Sequence, residues 1–85
     1  MPRLIYVSQT ANSVSVTFDE MPANAQVVFV NDTTGAKTPA QGNALAAGGN
    51  GSADIAIPSL PGGKYHLQAQ SGGQNIANTV AFYLG

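Results

Sequence analysis

The chain has 85 residues, only 8% of them Asp, Glu, Lys or Arg, and a formal net charge of −1, against roughly 25% charged residues in an average domain. Its three basic side chains, Arg3, Lys37 and Lys64, are scattered and cannot build the phosphate-neutralising patch that nucleic acids or anionic membrane surfaces require. No cysteine is present, which excludes thiol catalysis, zinc–thiolate sites and a disulfide scaffold.

No run approaches the ~20 apolar residues of a membrane helix. The start, Met-Pro-Arg-Leu-Ile-Tyr-Val, has no apolar stretch of signal-peptide length. The expectation is one domain over residues 1–85, either a protein made without a secretion signal or a domain of a longer secreted chain. Ser, Thr, Asn, Gln and Gly must supply its solubility. Such a neutral surface suits extracellular modules, carbohydrate-facing domains and subunits of large assemblies, and it does little to oppose self-association.

Period-two alternation recurs along the chain, and helical periodicity does not. Residues 3–9 predict a first strand of two-sided character, Leu4 and Tyr6 against Ile5 and Val7. A short turn, Thr10-Ala11-Asn12, makes the next strand its antiparallel neighbour. There Val14, Val16 and Phe18 point one way and Ser13, Ser15 and Thr17 the other, so one face packs and one meets water. Asp19 to Asn24, with Pro22, reads as a loop. The third strand, Gln26 to Asn31, is apolar on both faces, with Val27 and Phe29 opposed to Val28 and Val30.

Residues 32–51 predict one or two short edge strands, at 36–39 and 43–47; glycines around Ala44-Leu45-Ala46-Ala47 limit that run to a turn. Ser52 to Ile57 follows with Ile55 and Ile57 inward and Asp54 outward. After Pro58-Ser59-Leu60-Pro61-Gly62-Gly63 turns the chain, Tyr65, Leu67 and Ala69 face in while Lys64, His66, Gln68 and Gln70 face out. Ser71-Gly72-Gly73 makes a hairpin turn. Residues 75–84 return with Ile76, Val80, Phe82 and Leu84 inward and Ala77, Thr79, Ala81 and Tyr83 outward. The expectation is an all-β sandwich of about seven antiparallel strands.

The segment Leu60-Pro61-Gly62-Gly63-Lys64-Tyr65-His66-Leu67 resembles the corner of fibronectin type III and related immunoglobulin-like domains. There a Leu and a Pro-Gly precede a tyrosine at the start of the sixth strand. The resemblance spans nearly the whole chain in strand order and implies a single immunoglobulin-like β-sandwich. It assigns Leu60, Pro61 and Tyr65 to a structural corner in which the tyrosine hydroxyl bonds back to the upstream backbone. The Leu-to-Tyr spacing is one residue shorter than the fibronectin pattern and the second strand has no tryptophan, so the resemblance is to the broader architecture. That architecture hosts adhesion, scaffolding, sugar-binding and virion proteins, and by itself implies no activity.

No residue pattern predicts catalysis, a cofactor or a metal. His66 is the single histidine; its acid in a relay would have to be Asp54, which this topology assigns to the opposite sheet. Asp19, Glu20 and the start of the fifth strand near Asp54 are expected at one end, but without a recognised calcium spacing. Gly48-Gly49-Asn50-Gly51 lacks the strand–helix context of a phosphate loop. Asn31-Asp32-Thr33 and Asn50-Gly51-Ser52 match the glycosylation sequon.

Two functional expectations follow. The first is a non-enzymatic structural or interaction module of cell-surface, secreted or virion type. It would meet a protein partner or its own copy through a weakly charged sheet face carrying Gln26, Val28, Val30, His66, Gln68, Thr79 and Tyr83, unless residues 32–51 fold over part of that face and cover Val28 and Val30. An alternative expectation is a carbohydrate-binding module using the end of loops 19–24, 48–52 and 71–74, or the edge carrying Tyr6 and Tyr83. No cofactor, nucleic acid or membrane insertion is expected.

Overall fold

The computed structural model describes residues 1–85. Eight strands run in chain order: β1 (Arg3–Gln9), β2 (Ser13–Met21), β3 (Gln26–Asn31), β4 (Lys37–Pro39), β5 (Gly49–Ala56), β6 (Gly63–Ser71), β7 (Gln74–Asn78) and β8 (Phe82–Leu84). One antiparallel sheet has the order β1-β2-β5; the other has β4-β3-β6-β7, with β8 also pairing β6. The two sheets face each other as a β-sandwich.

Alternation builds the core. On β2, Val14, Val16 and Phe18 are buried with Leu4 of β1 and Ile55 of β5. Opposite them stand Val27 and Phe29 of β3, Tyr65, Leu67 and Ala69 of β6, and Phe82 of β8. Burying side chains of this size contributes roughly 1.5–3 kcal/mol each. Tyr65 brings a polar atom into this core, and its hydroxyl donates to the Pro61 carbonyl at 2.7 Å. That bond holds the β5–β6 loop against the start of β6.

Several boundaries differ from the sequence expectation. Residues 43–47 form no strand; buried Leu45 makes an isolated bridge to Ala25 and plugs that edge of the core. The fifth strand begins at Gly49 rather than Ser52. The second runs on through Asp19 to Met21, with a bulge against β5 between Phe18 and Met21. At that bulge Glu20 adopts φ of 50°, a left-handed conformation unusual for a side-chain-bearing residue. Its N–H donates to the Asn50 Oδ1 at 2.8 Å. Gly48 turns the chain beside it with φ of 67°, where an added Cβ would lie 2.7 Å from the Met21 carbonyl oxygen.

The largest correction concerns residues 75–84, expected as one continuous strand. Three steps along β6, from Gln68 to Tyr65, face four along the return segment, from Asn78 to Phe82. One extra residue therefore interrupts the ladder here, beyond an earlier one at Ile76 between the Gln70–Asn75 and Ala69–Ala77 pairs, and Thr79 repairs it. Its N–H donates to the Leu67 carbonyl at 2.9 Å. Its hydroxyl accepts the Leu67 N–H at 2.9 Å and donates to the Val80 carbonyl at 2.8 Å. Because side chains alternate with a period of two, one inserted residue inverts the faces of everything beyond it. Ala77 therefore joins the core with Phe82, and Val80 leaves it for solvent.

Candidate functional site

The expected contact face on the third, sixth and seventh strands loses most of its apolar content. Val28 and Val30 are each 7% exposed, Gln68 is 5% and Thr79 is 8%. Exposure of these four is corrected, and the reason is local. Val28 lies between Pro39 of β4 and Gln68 of β6, and Val30 between Lys37 and His66. On a pleated face, directly opposed side chains stand close enough to cover one another. Gln70 also donates to the Gln68 side chain at 2.6 Å, tying the amides into a polar cover. Thr79 faces the ladder rather than a partner. Of the expected contact set, Gln26 and Tyr83 are exposed and His66 is half-buried.

His66 has a partner that sequence reasoning missed. Its Nδ1 lies 2.6 Å from Asp32 Oδ1. Asp32 directly follows β3, whose Asn31 pairs with Tyr65, so the signal was the register of β3 on β6. This pair ties the β3–β4 turn to β6. The other acids go to separate places. Asp19 pairs with Arg3, Glu20 with the N-terminal amine at 3.2 Å, and Asp54 accepts from the Ser15 hydroxyl at 2.6 Å. The expected grouping of Asp54 with Asp19 and Glu20 is corrected. Starting β5 at Gly49 carries Asp54 most of the way to the strand's far end, opposite Ser15 rather than Asp19. No three acids or histidines converge. The sequon asparagines have structural work: Asn31 Oδ1 accepts from the N–H groups of Thr33 and Thr34, and Asn50 supports Glu20.

The surface left open lies elsewhere, along the edge where the two sheets meet through β1 and β8. The Tyr6 ring stacks on Phe82, centroids 5.2 Å apart at 18°. Tyr6 is therefore corrected from a free stacking platform to part of the seam. Its hydroxyl donates to Gln9 Oε1 at 2.7 Å, and Gln9 Nε2 donates to the Tyr83 carbonyl at 2.8 Å. The chain neighbours of this seam point to solvent: Val7 at a β-bulge of β1 is 56% exposed, and Val80 and Tyr83 are each 70% exposed.

The same seam forms one wall of the protein's groove, about 660 Å³ in volume. The β1–β2 turn, the β5–β6 loop and the Tyr83–Gly85 segment line it, with Gln9, Thr10, Ile57, Ser59, Leu60 and Tyr83 among the contributors. Its walls are tied together. The Ile57 N–H donates to the Asn12 carbonyl at 2.9 Å, Tyr65 holds Pro61, and Gln9 holds Tyr83. None of the lining side chains is acidic or basic. The end carrying Asp19–Asn24 and the β6–β7 turn, the other expected binding end, has no such groove. The chain matches no protein-family model, no curated protein and no solved structure.

Proposed function

We propose that this domain is a non-catalytic structural or interaction module of the immunoglobulin-like architecture, and that its partner is a second copy of the chain. Two features support the architecture. The strands divide as first, second and fifth against third, sixth and seventh, as in that class of sandwich. A buried tyrosine hydroxyl also bonds back across the corner before the sixth strand. The contact is carried by one observation: Val7, Val80 and Tyr83, on or next to the strands that meet at the β1–β8 seam, are the most exposed large apolar side chains after Met1. A net charge of −1 offers almost no repulsion between copies. A self-complementary patch closes into a symmetric pair rather than an open chain.

Light scattering across a concentration series tests this. The wild type should rise from monomer towards dimer mass, and Val7→Lys/Val80→Lys should stay monomeric with an unchanged circular dichroism melt. A wild type monomeric throughout, or a variant that still dimerises, refutes it.

A further inference from the structure

We infer that the groove beside Tyr83 is a binding site for neutral saccharides, with the Tyr83 ring as the stacking platform. The inference goes beyond the edge contact proposed above: the two surfaces share Tyr83, and the groove adds the β1–β2 turn and the β5–β6 loop, which that contact does not use. A volume of about 660 Å³ lies within the roughly 300–1,000 Å³ of small-ligand sites. Half of its ten lining residues are apolar, and the rest present amide, hydroxyl and backbone groups. A pyranose ring has the same mixture, with C–H bonds on its faces and hydroxyls on its rim.

Charge narrows the ligand class. No side chain of the groove is a cation that could pair with a phosphate, sulfate or uronate, and none is a carboxylate. Lys64 pairs with Tyr83 across the ladder but does not line the groove. Tyr83 presents its ring to solvent, and its side chain enters no internal hydrogen bond; only its backbone is held, by Gln9. A tyrosine has only two χ angles to fix, so stacking a ligand on its ring costs little side-chain entropy. The tied walls make the same contribution, because little of the groove has to be ordered when a ligand arrives.

The inserted residue at Thr79 gives this site its origin in the fold. It shifts the ladder by one position, so Phe82 faces the core and Tyr83 faces out. Had the ladder run on in uniform register, Phe82 would face out and Tyr83 in.

The test is an amide chemical-shift titration of the full chain with four neutral pentasaccharides, of cellulose, xylan, mannan and chitin type. A pentagalacturonate serves as the acidic arm and a Gly/Ser pentapeptide as the peptide arm. At least one neutral oligosaccharide should shift the amides of Gln9, Ser59 and Leu84 saturably. Tyr83→Ala should weaken binding about tenfold and Tyr83→Phe by no more than about threefold, as ring stacking predicts. Absence of a saturable shift with every neutral sugar overturns the inference. So does a response confined to pentagalacturonate or the peptide, or equal affinity in a folded Tyr83→Ala. Repeating the titration on Val7→Lys/Val80→Lys separates the two proposals, since neither substituted residue lines the groove.

Discussion

Replacing Thr79 with valine removes one oxygen and leaves the shape of the side chain almost unchanged. In the wild type that oxygen accepts the Leu67 N–H at 2.9 Å, at a point where the backbone ladder of β6 has no carbonyl to offer. Leu67 is fully buried and Thr79 is 8% exposed, so water cannot easily take the oxygen's place. Orphaning a buried donor costs about 1–3 kcal/mol. The added methyl returns at most ~0.8 kcal/mol through burial. Loss of the bond to the Val80 carbonyl adds little, because Val80 faces solvent. The expected net loss is about 1–2 kcal/mol, against a total of roughly 4–13 kcal/mol for a chain of this length.

Thermal and urea unfolding followed by circular dichroism measure this, and the melting temperature should fall by roughly 5–15 °C. Amide hydrogen exchange adds a local readout. Protection of Leu67 should drop more than the global stability does in Thr79→Val, and should follow the global stability in Thr79→Ser, which keeps the oxygen. A valine variant as stable as the wild type would falsify the role given to the hydroxyl. Equal Leu67 protection in the two variants would do the same.

Tyr65→Phe should cost about 1 kcal/mol, the usual net value of one internal hydrogen bond, without changing the secondary structure; an unchanged urea midpoint would show that the bond to Pro61 is energetically idle. Gly48→Ala should destabilise by about 1–3 kcal/mol, because φ of 67° strains any side chain and the new Cβ would press on the Met21 carbonyl. An alanine variant with a melt matching the wild type would mean that the β2–β5 bulge can shift to relieve both.

The alternation of Val14, Val16 and Phe18 with serines and threonines determined by itself that β2 is half-buried, because a period of two permits only one buried face. Pro61, Gly62 and Tyr65 likewise marked the corner and the inward set of β6. An all-β chain of antiparallel strands was legible from such local patterns and turn residues, whereas the split of residues 75–84 into β7 and β8 was not. The covering of Val28 and Val30 by residues 32–51 was legible only as one of two alternatives, since a strand apolar on both faces reads the same whether neighbours or a partner hide its outer face. Only the register of β3 against β4 and β6 decided that.

The pairing of His66 with Asp32 is of the same kind, joining residues 34 apart that no spacing rule connects. The terminal strand is the clearest case. Ile76, Val80, Phe82 and Leu84 fit one uniform alternation, but periodicity cannot show that extra residues sit at Ile76 and at Thr79. Thr79 could absorb the second insertion only because the buried Leu67 N–H lay within reach of its hydroxyl. That tertiary hydrogen bond exposes Val80 and sets Phe82 inward and Tyr83 outward, beside the groove.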